Sequence, residues 1–376
     1  MHPTNRRDWL KQSALATLGL GFSLRSMGGE DYLPKTFGNA TGLINLGSNE
    51  NPYGVSPRAK QAIIDMIAQA NRYQYNIPAL QSFKKELGNH YGVTQEHVLV
   101  TAGSGEALAL FARHFNKGNT VAANPTFFIL PNTVKKLGTS LIEVPLTKEK
   151  VHDLPRMLSA INENTKLVYI VNPANPTSTI VKSSDLKSFC IEAGKKAVVL
   201  VDEAYIDYVD PPDNESMIDL IEKNPNIVVV RTFSKIHGMA GMRVGFVIAH
   251  PTMIRQLEPN YFASSQFCVS TPAMAAALES LKDEAHQRKS KQKNEEARNY
   301  TLKSLHQHKI NAIPSYTNFL FMPLGNYPGD FAEDMLSKNI LLRSNNYSDG
   351  KWARVSIGTM EEMKQFIGTL QTTLKL

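Results

Sequence analysis

The stretch "VVVRTFSKIHGMAGMRVGF", residues 228–246, joins an apolar, β-branched run to a lysine, a glycine-rich segment and an arginine. The run ends in Thr-Phe-Ser-Lys, so Lys235 stands at the end of what the pattern predicts to be a buried strand. Arg243 follows eight positions after the lysine. Because lysine side chains are usually hydrated, a lysine in this place needs a charged partner or a chemical role.

Similar apolar runs recur along the chain and alternate with helical segments. Examples are "HVLVTAG" (97–103), "TKLVYIVNPANPTS" (165–178) and "KAVVLVDEAY" (196–205). Near-continuous Val, Ile and Leu strands separated by helices predict an α/β fold with a mainly parallel sheet that helices cover on both faces. Ligands of such sheets bind at the carboxyl ends of the strands. The polar or special residues at predicted strand ends are Gly103, Asn175, Asp202 and Lys235.

Composition excludes several classes of protein. The 376 residues are 42% hydrophobic and 20% charged, which is ordinary for a globular enzyme, and no apolar run is long enough to predict a membrane span. The net charge is +7, but residues 1–29 supply +3 of it, so a dedicated nucleic-acid surface is not expected. Cys190 and Cys268 have no metal-ligand spacing, so neither a disulfide framework nor a metal site is predicted.

The amino terminus, "MHPTNRRDWLKQSALATLGLGFSLRSMGG" (1–29), has the form of a signal peptide. The twin arginine Arg6-Arg7 precedes a short, moderately apolar stretch from Ser13 to Leu24. This arrangement resembles the signal that the twin-arginine (Tat) translocase recognises, and it predicts a periplasmic protein. The alternative is an amphipathic arm that packs on the fold of a cytoplasmic protein. No Ala-x-Ala cleavage site is obvious.

Several residues together predict a site for pyridoxal 5'-phosphate, PLP. The Gly-Ser-Gly at 103–105 lies where a strand gives way to a helix, and free N–H groups there favour a phosphate. Ser234 and Arg243 can supply a hydroxyl and a guanidinium to the same phosphate. Asp202 would be a buried carboxylate, for which a pyridinium nitrogen is a suitable partner. Lys235 would then be the desolvated amine that forms a Schiff base with an aldehyde.

Five motifs then resemble fold-type I PLP-dependent aminotransferases of class I and II, and more narrowly the histidinol-phosphate aminotransferase branch. They are "LGSNENPYG" (46–54), "NPANPTS" (172–178), "DEAYID" (202–207), "TFSKIHGMAGMRVGF" (232–246) and "WARVSIGT" (352–359). The resemblance implies a large PLP-binding domain at residues 66–270 with a mainly parallel, seven-stranded type of sheet. It implies a smaller α/β domain formed by residues 30–65 and 271–376.

The resemblance also implies roles for residues around the cofactor. Lys235 would form the Schiff base and shuttle the proton, Asp202 would keep the ring nitrogen protonated, and Asn175 and Tyr205 would bind the 3'-oxygen. Phe127, in "NPTFF", would stack on the ring where this branch often has tyrosine. The predicted phosphate site consists of Ser104, Gly105, Thr232, Ser234 and Arg243.

Other implied roles concern the subunit partner and the substrate. Tyr73, in "NRYQY", matches a tyrosine that the family donates to the neighbouring phosphate site, which implies a homodimer. Arg354 matches the arginine that binds the substrate α-carboxylate. The distal end of the substrate is predicted to meet Tyr53, Arg343 and Asn318. Ser178 departs from the family, which has glycine at this position of the NPTG turn.

The predicted reaction moves an amino group from an L-amino acid or related amine to a 2-oxo acid. Because an exported enzyme would not meet the phosphorylated intermediate of histidine biosynthesis, the donor is left unassigned, with histidinol phosphate as the cytoplasmic alternative. Relatives of this fold also include oxygen-dependent oxidases of arginine-like amino acids, lyases and decarboxylases, which use the same core residues. The intact Lys235 argues against a non-catalytic binding or regulatory module.

Overall fold

The computed structural model describes residues 42–72, 77–265 and 268–375. The predicted signal at 1–29 and Tyr73 therefore lie outside the described residues. The strands are β1 Ile44–Asn45, β2 Val98–Thr101, β3 Asn119–Asn124, β4 Ser140–Pro145, β5 Thr165–Val171, β6 Val198–Asp202, β7 Ile227–Thr232, β8 Gly245–Ala249, β9 Phe319–Gly325, β10 Ile340–Leu341, β11 Arg343–Tyr347 and β12 Gly350–Ser356. The α-helices are α1 Pro57–Ile67, α2 Ile77–His90, α3 Ser104–His114, α4 Ile129–Lys136, α5 Leu154–Ala160, α6 Ser183–Gly194, α7 Pro212–Glu215, α8 Pro251–Ser265, α9 Thr271–Leu281, α10 Glu284–Gln307, α11 Phe331–Leu336 and α12 Met360–Leu374.

A seven-stranded sheet in the order β2-β8-β7-β6-β5-β3-β4 forms the centre of the larger part of the molecule. Strands β4, β3, β5, β6 and β7 pair in parallel, as the apolar runs predict, and β8 is antiparallel to both β7 and β2. Every residue of β6 and β7 is buried, because helices cover both faces. The predicted α/β fold with a mainly parallel sheet is confirmed.

The two faces of this sheet belong to two separate hydrophobic cores. Successive side chains of a strand point to opposite faces, so Val199 and Val201 of β6 lie in one core and Val198 and Leu200 in the other. Helix α6 packs on the first face, whereas α3 and α8 pack on the second. The sheet is thereby fixed from both sides, which holds the ends of its strands in place.

The C-terminal part builds a smaller sheet with its own core. Strands β11, β12 and β9 are antiparallel neighbours in that order, and buried side chains of α10 and α12 pack against them. Strand β1 pairs in parallel with β10, so residues 44–45 join this part of the molecule. Among the described residues, no helix is both long and apolar enough to cross a membrane.

The Ala-rich region after residue 270 consists of two helices that serve different cores. Helix α9 packs against α1 and buries its alanines in the core on the α6 face of the large sheet, although the predicted small domain begins at residue 271. The next helix begins at Glu284, because the Asp283 carboxylate caps it by accepting from His286 N at 3.2 Å. Of these two helices, α10 is the one that contributes side chains to the core of the small sheet. The domain boundary stays a prediction.

Candidate active site

The carboxyl ends of three neighbouring parallel strands bring the predicted cofactor residues to one edge of the large sheet. Strand β6 ends at Asp202, while Asn175 and Lys235 lie in the segments that follow β5 and β7. The cavity at this edge is lined by Ser48, Glu50, Ser104, Gly105, Phe127, Ile129, Val171, Asn175, Asp202, Ala204, Tyr205, Ser234, Lys235, Ala240 and Arg243. Residues that are far apart in sequence thus converge where the strand pattern predicts.

The start of α3 forms one wall of the cavity and is suited to an anion. No side chain of the described residues caps this helix, and its first N–H groups have no partner within the helix. Gly103, which precedes the helix, has φ +83°, and a Cβ there would lie 2.4 Å from Arg243 Nη2. Glycine is therefore required for the guanidinium to approach the helix terminus. The positive end of the helix dipole and the Arg243 charge act on the same space.

Two hydroxyl groups complete this anion site. Arg243 Nη1 donates to Ala240 O at 2.8 Å and lies 3.4 Å from Ser234 Oγ. Thr232 Oγ1 in turn lies 3.0 Å from Ser234 Oγ. The guanidinium is thus held beside two hydroxyls and a helix terminus, which is a donor set that suits a phosphate group. These are the residues that the sequence predicts for the phosphate.

Asp202 is a buried carboxylate with few partners. It is 2% exposed; Oδ1 accepts from Ala204 N at 3.1 Å and Oδ2 accepts from Tyr169 OH at 3.4 Å. Burial raises the pKa of this carboxyl to about 6, although the two hydrogen bonds and the charge of Lys235 act in the opposite direction. A cationic N–H group at this position would stabilise the ionised carboxylate.

The Tyr205 hydroxyl accepts hydrogen bonds from two side-chain amides. Asn49 Nδ2 donates to it at 3.0 Å and Asn175 Nδ2 at 3.2 Å. Asn49 is held in turn by Ser356 of β12, whose Oγ accepts from Asn49 N at 2.8 Å and donates to Asn49 Oδ1 at 3.0 Å. This network links the small sheet to the cofactor side. The sequence does not identify Asn49 and Ser356 as members of this network, although both lie within motifs quoted above.

Lys235 directs its ammonium group into the same cavity. Nζ donates to Asn49 O at 3.1 Å and lies 3.5 Å from Ser48 O, and it is 5.5 Å from the centre of the Tyr205 ring. Main-chain carbonyls therefore hold the amine between Tyr205 and the segment that precedes α1.

A second cavity adjoins the first, and the hairpin β11–β12 forms part of its wall. The two cavities share Ser48, Phe127, Asn175, Tyr205 and Lys235. The hairpin adds Arg343, Asn345, Tyr347, Trp352 and Arg354. We call this space the substrate cavity. Its lining includes both the predicted reactive amine of Lys235 and the two arginines of the hairpin.

Those two arginines stand opposite each other in the hairpin. Arg343 pairs in register with Arg354, whose Nη1 donates to Asn175 Oδ1 at 2.9 Å and whose Nη2 donates to Gly47 O at 2.6 Å. Nε of Arg354 is buried and has no hydrogen-bond partner among the described residues. Burial lowers the pKa of Arg354, and the charge of Arg343 lowers it further. An anion bound in this cavity would compensate Arg354 for its lost hydration and would offset the repulsion between the two guanidinium groups.

The remaining predicted residues have different positions. Phe127 lines both cavities. Neither Tyr53 nor Asn318 is among the described residues that line them. The Tyr53 ring lies under Lys293 Nζ at 4.6 Å, and Asn318 Nδ2 donates to Asn49 O at 3.0 Å, so it supports the segment that holds Lys235. Ser178 has φ 61°, which is the left-handed conformation that glycine favours at this turn.

The family of the chain follows from comparison with known proteins. Residues 41–370 match the family model described as aminotransferase class I and II. The chain belongs to the class I and II aminotransferases. A histidinol-phosphate aminotransferase from Brevibacillus brevis is 35% identical over 344 residues, covering 91% of this chain and 93% of that protein. Histidinol-phosphate aminotransferase 1 from Bacillus cereus is 36% identical and covers 88% of each chain.

Solved structures agree with the fold of this aminotransferase. A protein from Erwinia carotovora atroseptica superposes with a TM-score of 0.82 at 31% identity, covering 89% of this chain and 96% of that one. The Sinorhizobium meliloti histidinol-phosphate aminotransferase, solved with pyridoxal 5'-phosphate, also has a TM-score of 0.82, at 23% identity, and covers 89% of this chain and 91% of that one. The chain is a PLP-dependent aminotransferase, and the oxidase, lyase and decarboxylase alternatives are not favoured.

The residues present fit PLP. The anion site at α3 suits its phosphate, and the Gly103 position leaves room that a Cβ would fill. The buried Asp202 suits the protonated ring nitrogen, since burial has raised the pKa of a carboxyl that has no cation within hydrogen-bonding distance among the described residues. Among the same residues, no cluster of potential metal ligands is found.

Proposed function

We propose that this aminotransferase acts on histidinol phosphate, or on a closely similar amine with a flat ring and an anionic group, and transfers its amino group to a 2-oxo acid. The observation that carries the proposal is the pair Arg343 and Arg354, which line the substrate cavity but not the cavity that contains the anion site. A phosphate monoester can accept from two guanidinium groups at once. The names of the relatives with 33–36% identity support the same substrate.

The walls of the cavity fit a flat ring. Trp352, Tyr347 and Phe127 line it beside the arginines. Aromatic side chains bind planar rings through stacked or edge-to-face contacts. A substrate with a ring and a phosphate would use both features of the cavity. A 2-oxo acid would place its carboxylates on the same arginines in the second half of the reaction.

The chain's own residues have distinct tasks in the proposed reaction. PLP, when bound, supplies an aldehyde for the amine and a ring that accepts electrons from the substrate carbon. Lys235 Nζ accepts the proton from that carbon and returns it later, because Lys235 lines both cavities. Asp202 keeps the ring nitrogen protonated, and the Asn175 amide and Tyr205 hydroxyl bind the ring oxygen. Arg354 fixes the anionic end of the substrate and so its orientation.

Two further proposals concern residues outside the described part of the chain. We propose a homodimer in which Tyr73 reaches the phosphate of the neighbouring subunit. We also propose that the twin-arginine segment directs export.

An exported enzyme would favour a second candidate function, transamination of free aromatic amino acids, whose carboxylate would bind Arg354. Fractionation of cells that express the full chain tests the export, and light scattering tests the dimer.

The substrate is tested with the purified, PLP-loaded protein under anaerobic conditions. Histidinol phosphate, histidine, phenylalanine and arginine are each mixed with the enzyme, and the visible absorbance of the cofactor is followed. We expect kcat/KM for histidinol phosphate to exceed that for histidine by about 100-fold or more, because histidine lacks the phosphate that pairs with both arginines. A 2-oxo acid should reverse the absorbance change without oxygen. Equal kcat/KM values for histidine and histidinol phosphate would support the second candidate instead.

A further inference from the structure

Lys150 connects the larger part of the molecule to the tip of the hairpin β11–β12. It lies in a turn that is closed by a hydrogen bond from Thr147 N to Val151 O at 2.9 Å, and it has a left-handed φ of 63°. Its ammonium pairs with the carboxylate of Asp349, which stands in the two-residue turn between the paired Tyr347 and Gly350. The lysine side chain is 13% exposed and the aspartate 44%. The ion pair is therefore largely shielded on the lysine side.

The same ammonium contacts a wall of the substrate cavity. Lys150 Nζ lies over the ring of Trp352, 4.9 Å from its centre. Trp352 lines the substrate cavity and stacks on Phe321 of β9 with ring centres 4.7 Å apart and planes 7° apart. A cation over an indole face is an attractive arrangement. Lys150 and Phe321 together fix the position of this ring.

The main chain of Lys150 is tied to the loop that carries Asn175. Thr179 Oγ1 donates to Lys150 O at 2.8 Å, and Thr179 O accepts from Ala174 N at 2.8 Å. The next residue, Asn175, accepts from Arg354 at the base of the hairpin. The hairpin is thus fixed at its base by Asn175 and at its tip by Lys150, and the two segments that carry these residues are joined by the hydrogen bond from Thr179 to Lys150 O.

We propose that Lys150 is a positioning residue for the amine substrate. It holds the hairpin so that Trp352, Arg343 and Arg354 keep their places in the substrate cavity before the substrate arrives. The two arginines repel each other, so the hairpin needs an attachment that does not depend on the bound anion. The inference rests on the proposed function in one respect, which is that this cavity receives the amine.

The test compares Lys150→Met with Lys148→Met, which removes the charge of an exposed lysine in the same turn. In PLP-loaded enzyme we expect Lys150→Met to raise the concentration of histidinol phosphate that gives half-maximal rate by about fivefold, since a shielded ion pair and a cation–π contact are lost. The maximal rate and the bound-cofactor absorbance should stay within about twofold of the wild type, because the substitution changes only the side chain, whose partners Asp349 and Trp352 do not line the cofactor cavity. Lys150→Arg should restore most of the loss, and Lys148→Met should behave as the wild type.

Two results would overturn the proposal. One is a half-saturating concentration that Lys150→Met leaves unchanged. The other is a maximal rate and a Tm that fall together, which would mean a general loss of stability. A pairing with Asp349 also requires that Asp349→Asn adds little to Lys150→Met.

Failure of the proposed substrate is distinguishable from failure of this inference. If wild-type enzyme does not respond to histidinol phosphate, the substrate proposal is wrong. The contact between Lys150 and Trp352 is then tested by fluorescence instead. In a Trp9→Phe background, Trp352 is the only tryptophan. Lys150→Met should change its emission, and Lys148→Met should not. Identical emission from wild type and Lys150→Met would refute the contact itself.

Discussion

The cofactor side and the substrate side of the active site are built in different ways. The cofactor side is formed by neighbouring strands of one buried sheet. Asn175, Asp202 and Lys235 lie at or just after the ends of these strands, which backbone hydrogen bonds and two hydrophobic cores hold in place. The substrate side comes from a hairpin of the small sheet, which meets the rest of the site through side chains. Arg354 and Asn175, for example, are 179 positions apart.

The contrast indicates which part of the molecule determines each property of the enzyme. Backbone pairing tolerates side-chain changes on the hairpin, so substrate choice can alter while the cofactor site stays intact. Conversely, a change at Asp202 or Lys235 should remove the chemistry without removing a hydrogen bond of the two arginines that are proposed to bind the substrate. Substitutions on the two sides should therefore separate into loss of turnover and loss of affinity.

The largest effect is expected on the cofactor side from Lys235→Ala. The substitution removes the amine that is proposed to hold the cofactor and move the proton, so turnover should fall by at least about 10³-fold. The visible absorbance of the purified protein should change as well. Lys85→Ala, which alters an exposed lysine, serves as the control. Turnover within tenfold of the wild type would show that the reactive amine is misassigned.

Asp202→Asn should separate the stability of the protein from its activity. Activity should fall by about 100-fold or more, because the neutral amide holds the ring nitrogen protonated less well. The cofactor-free variant should nevertheless be more stable than the wild type above pH 6. The folded-state pKa of about 6 exceeds the ordinary 3.8, so the wild type loses stability as pH rises between these values.

The measurement for Asp202→Asn is urea unfolding of the cofactor-free proteins from pH 4 to pH 8. The variant should gain about 1–3 kcal/mol relative to the wild type at pH 7 and little at pH 4, since each pKa unit corresponds to about 1.4 kcal/mol. Asp65→Asn, at an exposed position, should show no such pH dependence. A constant difference between variant and wild type across this range would contradict the burial of an ionised Asp202.

The fold was largely predictable because its signal is local. The runs around Val199 and Val229 contain almost only β-branched and aliphatic residues, and such runs predict buried parallel strands. The reversal of β8 was not predicted, since "GFVIA" indicates a strand without indicating its direction. The packing of α9 on the large sheet was equally hidden, because an Ala-rich helix shows an apolar face but not its partner.

The residues of the candidate site also differ in whether a local sequence signal marks them. Residues at strand ends were predicted and do converge, whereas Asn49 was missed because a polar residue in a loop has no periodicity to mark it. Its contact with Tyr205 spans 156 positions. Tyr169 lies in an apolar run that predicts a buried strand, although its hydroxyl donates to Asp202. Long-range side-chain contacts of this kind follow from the assembled fold and not from any local pattern.

On the substrate side, Arg354→Lys should weaken substrate use while sparing the cofactor. Arg354 donates to Asn175 and to Gly47 with different nitrogens, and a single ammonium cannot reproduce this geometry together with an anion. We expect kcat/KM for the amine to fall by about 10–100-fold, with cofactor affinity within about threefold of the wild type. Steady-state kinetics and cofactor titration measure the two quantities. Arg58→Lys, on the surface, is the control, and an equal loss of cofactor affinity would contradict the separation.

The smallest effect is expected from Ser178→Gly, at the turn between the two sides. Ser178 holds a left-handed φ of 61°, a conformation that costs a residue with a Cβ about 1 kcal/mol and glycine nothing. Glycine also gains freedom in the unfolded chain, which offsets part of this advantage. The free energy of unfolding should therefore rise by about 0.5 kcal/mol or less, and kcat/KM should stay within twofold.

Ser178→Ala, which keeps the Cβ and removes the hydroxyl, is the matched control. If Ser178→Ala and Ser178→Gly both reduce kcat/KM by tenfold, the hydroxyl and not the backbone angle is what the turn requires, and the loop that carries Asn175 depends on a side chain as the hairpin does.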